Sequence, residues 1–460
     1  MLSRLNHQAG SLLKKPVTQL LLVLSLLSGI QAAGAQTLIP LYSFTGGNDG
    51  DNPIAGLVQA SDGNLYGSTF EGGTNGYGAV FRITTNGVLT PLYSFTDGYD
   101  GADPHAGLMQ ASDGNLYGTT EDGGTNDDGV VFRITTNGIF TPLYSFTGGH
   151  DGANPRGGLL QASDRNLYGT TANGGTNFDG TVFRITTGGA LTPLYSFTGS
   201  HDGNFPEATL VQASDGKLYG TTYQGGTNNY GAVFRITTNG VLTPLYSFTN
   251  GSDGADPVAG LVQASDGNLY GTTEVGGTNH DGAIFRITTN GIFTPLYSFT
   301  DGHDGAYPEA ALVQANDGNL YGTAYEGGTN GYGVIFRITT GGTLTSPYSF
   351  TDGHDGADPL AGLVQASNNN LYGTAPGGGT NFDGTVFEFT LPPLPPPALS
   401  ILLISHQIVL SWPASAANYV LQSTTNLALP NWVTISNAMS VTSITVTNPL
   451  PAQYFRLANP

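Results

Sequence analysis

The chain has no cysteine, which excludes disulfides, thiolate metal sites and a lipid-modified cysteine anchor. Charge is scarce: 10% of the 460 residues are Asp, Glu, Lys or Arg, and the cations are outnumbered 13 to 33. A surface so short of positive charge repels phosphate backbones and anionic lipid head groups, so no nucleic-acid partner is expected. After the N-terminus long apolar runs are missing too, and a membrane-spanning helix needs about 20 apolar residues. What is plentiful is glycine, 69 residues, beside 38% hydrophobic residues. That mixture fits neither disorder nor a helical protein. It suits many short strands joined by Gly-rich turns.

Arg4, Lys14 and Lys15 precede the apolar stretch 20–30, and Ala33-Gly34-Ala35 then offers a small-x-small cleavage site before Gln36. This reads as a secretory signal over 1–35, with an uncleaved membrane anchor as the alternative. Its removal would leave 10 cationic against 33 anionic side chains, a net charge of −23. The expected location is extracellular or on the cell surface, with the periplasm as the alternative.

From there the chain repeats itself. The tripeptide Leu-Tyr-Gly recurs with its tyrosine at 66, 117, 168, 219, 270, 321 and 372, every interval being 51 residues. In the first full unit four strands are expected: a (56–60), b (64–69), c (79–84) and d (89–95). Ser61-Asp62-Gly63 and Asn86-Gly87 mark tight hairpins between a and b and between c and d. Four-stranded antiparallel units repeated seven times predict an all-β, seven-bladed β-propeller over 36–391.

A β-solenoid is the competing architecture, and three features favour the propeller. A strand d stands alone at 38–44, whereas the last unit stops after strand c at 386–389, so the N-terminal strand can complete the last blade and close the ring. Strand d carries a proline in every unit (Pro40, Pro91, Pro142, Pro193, Pro244, Pro295, Pro347), which suits an outer edge. Strand a begins with small residues such as Ala55-Gly56 and Ala106-Gly107, as convergence on an axis requires. The repeated Tyr and Phe residues are expected in the core. The strand-a glutamines, Gln59 to Gln365, are expected to bond neighbouring backbone. The strand-c arginines, Arg82 to Arg337, should form inter-blade hydrogen bonds; Glu388 replaces them in the last unit.

The run Ser-Asp-Gly-Asn-Leu-Tyr-Gly-Thr-Thr (112–120), followed by Gly-Gly-Thr-Asn, Val-Phe-Arg-Ile-Thr-Thr and Leu-Tyr-Ser-Phe-Thr, resembles the GloVer tandem repeat of bacterial choice-of-anchor exported proteins. The resemblance covers 37–390. It implies an exported protein and carries no biochemical activity with it.

A proline-rich linker follows at 392–398. Residues 399–460 hold six short alternating segments, with Trp412 and Trp432 as expected core. They resemble a small fibronectin type III-like β-sandwich, in which Arg456 is the one charged side chain.

Strand connectivity puts the d–a and b–c loops on one face. Those loops hold 26 of the 33 carboxylates, together with the aromatics outside the repeating core. Carboxylates, amides and flat rings on a rigid scaffold suit sugar hydroxyls or cations. The expectation is therefore a non-enzymatic, monomeric binding or adhesion protein for a polysaccharide or another cell-surface polymer. Candidate ligand-binding residues are His105, Arg156, Glu207 and Glu309, each directly after a loop proline, with Phe70, Tyr99, Tyr223 and Tyr325. The motif Asp-Gly-Ala-Asp makes Asp100, Asp103, Asp253, Asp256, Asp355 and Asp358 candidate Ca²⁺ ligands, against the simpler reading that a turn Asp bonds its own backbone. A calcium-stabilised structural surface protein is one alternative. A polysaccharide hydrolase or lyase is another, although no catalytic motif stands out.

Overall fold

The computed structural model describes residues 36–393, 399–404, 407–412, 420–426, 431–437, 443–446 and 453–458. The expected signal segment, and 394–398 of the expected linker, lie outside them. Contacts divide the chain into two units that meet in sequence at Pro392 and Pro393. No helix of the described residues is long and apolar enough to cross a membrane.

The first unit begins with β1 (Leu38–Ser43), followed by β2 (Val58–Gln59), β3 (Leu65–Thr69), β4 (Ala79–Ile83) and β5 (Leu89–Ser94). Strands β2 to β5 make one antiparallel sheet in chain order. The same sheet recurs as β6–β9 (109–145), β10–β13 (160–196), β14–β17 (211–247), β18–β21 (262–298) and β22–β25 (313–349). Strands β26 (Val364–Gln365), β27 (Leu371–Ala375) and β28 (Thr385–Phe389) make the seventh, and its fourth strand is β1. Leu38 lies opposite Phe389, and Ser43 opposite Thr385. Seven four-stranded sheets, with no helix among the described residues, are the architecture of a β-propeller. Strand a is shorter than expected, two residues in place of five, because Gly56 and its equivalents leave the ladder and pack against one another.

The proline-bearing strand d is an edge of every sheet. Pro91 lies opposite Phe81, beside a register shift, on an edge strand where a missing N–H is tolerated. Strands b and c are buried along nearly their whole length. The glycine of Leu-Tyr-Gly makes room for packing: a β-carbon on Gly67 would lie 2.7 Å from both the Phe81 ring and Leu57.

Apolar side chains form seven clusters, each shared by adjacent sheets. Tyr66, Val80 and Phe95 of one blade pack on Leu116, Phe132 and Ile134 of the next. Tyr372, Val386 and Phe44 pack on Leu65, Phe81 and Ile83 in the same way, joining the seventh blade to the first. Two belts of hydrogen bonds follow these interfaces. The Gln110 amide oxygen accepts from Ser61 N–H at 2.8 Å, its equivalents do likewise, and Gln59 accepts from Ser367 N–H at 2.7 Å. Thr119 Oγ1 donates to Gly157 O, and Thr374 Oγ1 to Ala55 O. The glutamines are thus structural. The strand-c arginines are more mixed than expected: Arg82 donates to Thr90 within its own sheet, whereas Arg235 reaches Thr289 of the next repeat. At the inner edge, a β-carbon on Gly107 would lie 2.7 Å from Gly56 O, and one on Gly56 3.3 Å from Gly362 O.

Among its described residues the second unit holds two three-stranded sheets. In one, β29 (Ser400–Ile404), β30 (Gln407–Ser411) and β33 (Ser443–Val446) lie in that order; the other runs β32 (Val433–Asn437), β31 (Val420–Thr424), β34 (Tyr454–Ala458). Ile408, Leu410, Trp412 and Leu421 form its core, joined by Ile444 and Phe455. Trp432 departs from expectation. Its ring is half-buried, with the Arg456 guanidinium 4.2 Å above it, because it falls just before edge strand β32.

Candidate functional site

Each d–a loop is braced by the aspartate four residues after its opening threonine. Asp100 is buried; its Oδ2 accepts from Tyr93 O–H at 2.9 Å and Thr96 N–H at 3.0 Å, and its Oδ1 from Thr96 O–H at 2.5 Å. Asp253 and Asp355 take the equivalent bonds from Tyr246 and Thr249 and from Tyr348 and Thr351. In these three expected calcium ligands both oxygens therefore accept from donors of their own loop and of the strand d before it. Asp103, Asp256 and Asp358 sit elsewhere, each before the loop proline with φ of 55–57°. Among the described residues no group of three or more His, Asp or Glu is gathered to hold a metal.

The braced d–a loop pairs with the b–c loop of its own blade: Asp51 bridges Glu71, Ala102 bridges Asp122, and the pattern continues through Ala357 and Gly377. Two positions are thereby brought to the inner rim of this face. The first follows the loop proline and reads Ile54, His105, Arg156, Glu207, Val258, Glu309, Leu360 around the blades. The second follows strand b and reads Phe70, Glu121, Ala172, Tyr223, Glu274, Tyr325, Pro376.

Side chains from both positions meet in an ion-paired triad and a ring pair. Arg156 donates to Glu121 at 2.8 Å and to Glu207 at 2.9 Å, bridging blades 51 residues apart in the chain. Burial works against the Arg156 charge, but the two carboxylates outweigh it and raise its pKa. Burial also lifts Glu207 above the ordinary carboxyl value while Arg156 pulls it down; at 2.9 Å the two remain an ion pair. His105 lies edge-on to Phe70, ring centroids 6.1 Å apart. Its burial lowers its pKa against the pull of Glu121, with Arg156 adding to the lowering.

On the other side of Glu207 the rim is acidic. Glu309 is pushed up to about 7, first by burial and then by Glu274, Glu207 and Glu326. Burial raises Tyr223, as do the carboxylates of Glu274, Asp256, Glu207 and Glu309. Tyr325 is raised by burial and by Asp358, Glu326 and Glu309. Asp103 is pushed to about 6 by burial and by Asp122, Asp97, Glu121 and Glu71. Blades four and six share a signature here. Phe205 and Tyr307, two residues before Glu207 and Glu309, take left-handed backbone (φ 52° and 53°) that bulky residues seldom adopt.

Seven of the eight expected ligand-binding residues thus fall at these two rim positions. Tyr99 does not: it is 78% exposed at a loop tip, where other repeats place His150, His303 and His354 beside threonine hydroxyls. Glu121 and Glu274 were not singled out by sequence reasoning. The available signal was their register with Phe70, Tyr223 and Tyr325.

Comparison with known proteins gives the following. No curated protein matches. A crystallised candidate 6-phosphogluconolactonase from Bacteroides uniformis ATCC 8492 is similar at 17% identity and TM-score 0.47, over 86% of this chain and 100% of that one. A protein of unknown function from Dyadobacter fermentans DSM 18053 is similar at 14% identity and TM-score 0.42, covering 77% and 98%. The polysaccharide lyase Uly1 shows 12% identity and TM-score 0.42, over 74% and 90%. The Gloeobacter/Verrucomicrobia repeat matches four overlapping stretches, 29–162, 84–263, 140–316 and 209–394. With well over half its length matched in this way, the chain belongs to the Gloeobacter/Verrucomicrobia repeat family.

Proposed function

We propose that the protein is an exported binding propeller, closed by its N-terminal strand and followed by a small β-sandwich, that recognises a glycan at the inner rim of its d–a and b–c face. One observation supports this reading: at positions that differ between repeats, side chains of neighbouring blades meet, Arg156 joining Glu121 and Glu207 and His105 lying against Phe70. Fold alone asks for the same residue at equivalent positions of every blade. The loop prolines Pro53 to Pro359 meet that demand in all seven, yet the next residue is Ile, His, Arg, Glu, Val, Glu or Leu. Tyr223 and Tyr325 supply flat faces for sugar C–H groups, and Glu207, Glu274 and Glu309 accept from hydroxyls or amines. The acidic field favours neutral or amino-bearing sugars over uronates and sulfated chains.

Calorimetric titration of the full chain with a glucosamine hexasaccharide at pH 6, and a glycan array of neutral and amino oligosaccharides, test this. Binding that weakens with salt and is lost in Glu207→Gln with Glu309→Gln is the expected result. An array with no neutral or amino-sugar signal contradicts it.

Glu309 favours a second reading, a hydrolase or lyase. A carboxyl pushed to about 7, with Glu207 held in an ion pair to Arg156 on the same face, offers two carboxyls in different environments, as acid–base chemistry needs. Release of reducing ends from the same oligosaccharides, abolished in Glu309→Gln, would support that reading over simple binding.

A further inference from the structure

The second unit carries a cavity that the rim does not involve. Strand β31 runs antiparallel to both of its neighbours, Ser423 lying opposite Val433 and Phe455, and Thr424 opposite Tyr454. The end of β31 therefore meets the starts of β32 and β34 at one end of the sheet. Ser423, Thr424 and Asn426 come from the first, Asn431 and Val433 from the second, and Gln453 from the residue before the third. Together they line a cavity of about 290 Å³.

Its chemistry is uniform. Every polar side chain lining it is a hydroxyl or an amide, able to donate and to accept. Arg456 is the one Asp, Glu, Lys or Arg between 399 and 460, and it is engaged elsewhere. Its Nε donates to Gln422 Oε1 at 2.9 Å and its guanidinium covers Trp432. An ionic ligand would find no counter-charge here. Val433, 58% exposed, gives the cavity one apolar patch. The lining is also partly fixed in advance: Asn426 N–H donates to Thr424 Oγ1 at 3.3 Å, and Gln453 Nε2 to Ser423 Oγ at 3.4 Å. Pre-set donors and acceptors around a small neutral space, with one apolar patch, match a polyhydroxy ring with its C–H face.

We propose that this cavity binds a neutral sugar residue of an uncharged glycan, independently of the propeller rim. The full chain is titrated with neutral glucose, mannose and xylose hexasaccharides by saturation-transfer NMR, in three forms: wild type, Asn431→Ala with Gln453→Ala, and Glu207→Gln with Glu309→Gln. Expected is transfer from at least one hexasaccharide, with binding about tenfold weaker in the Asn431/Gln453 variant, the loss of about 1.4 kcal/mol of hydrogen bonding. The Glu207/Glu309 variant should retain it. Near-ultraviolet circular dichroism checks that the variant is folded, and Ser423→Ala provides the same readout should it not be. No transfer from any hexasaccharide overturns the proposal, as does undiminished binding in the folded cavity variants. Loss confined to the Glu207/Glu309 variant also overturns it while supporting the rim, so the two failures are distinct.

Discussion

Arg156 and Glu207 occupy the same position in adjacent repeats and join across the blade boundary at 2.9 Å, with Glu121 holding the other side of the guanidinium at 2.8 Å. A repeat whose fold needs no charge there has become an ion-paired triad, and the rest of the rim is arranged around it.

Truncating Arg156 should therefore cost more than a surface ion pair would. Arg156→Ala leaves two carboxylates without a cation, and the expected loss is about 1–3 kcal/mol, below the 3–5 of fully buried pairs. Urea unfolding of Arg156→Ala, Glu207→Ala and the double variant measures the coupling. The double variant should be more stable than the sum of the single losses implies.

Glu309 makes stability depend on pH. Its carboxyl is raised from 4.5 to about 7 by burial and neighbouring carboxylates, so the folded chain holds this proton more tightly than the unfolded chain. That contribution is fully present below about 4.5 and is lost as pH rises through about 7. Melting scans should show Glu309→Gln gaining on the wild type between pH 4.5 and 7, with the difference constant above that range. Parallel curves would refute the assignment.

The seventh blade carries an exchanged set of partners. In the other six, a tyrosine hydroxyl donates to an aspartate, as Tyr66 does to Asp62 at 2.7 Å, near the strand-c arginine. In the seventh, Asn368 donates to Tyr372 at 2.7 Å, and Tyr372 and Asn370 donate to Glu388 at 3.0 and 2.6 Å. Asn368→Asp alone should cost about 1–3 kcal/mol, because Tyr372 has one proton for two carboxylates. Adding Glu388→Arg should recover most of that loss, as chemical denaturation would show.

Metal removal should leave the melting temperature unchanged, since Asp100, Asp253 and Asp355 already accept from strand-d tyrosines and loop threonines. A fall on chelation, reversed by Ca²⁺, would instead point to Asp103, Asp256 and Asp358.

Much of the fold was legible because each signal came seven times. The 51-residue interval, the strand-d prolines and the hairpin residues placed strands to within one or two residues, as with 64–69 expected and Leu65–Thr69 observed. Strand a was overestimated because Gly56 and Ala60 look strand-compatible, whereas Gly56 serves close backbone approach. The rim was legible in part. Position after proline marked His105, Arg156, Glu207 and Glu309, but type alone could not separate Tyr99 from Tyr223. Their difference lies in which loop end faces inward. Trp432 was misjudged for a similar reason, since an edge strand leaves one side of its ring to Arg456.

That difference between tyrosines offers the most direct test of the rim as the binding site. Affinity for the glucosamine hexasaccharide should be measured for the wild type, Tyr223→Ala with Tyr325→Ala, and Tyr99→Ala. Stacking on an aromatic ring is worth about 0.5–1.5 kcal/mol, so the paired variant should bind about tenfold more weakly while Tyr99→Ala binds as the wild type. Equal affinity in all three, or loss only in Tyr99→Ala, would contradict the account.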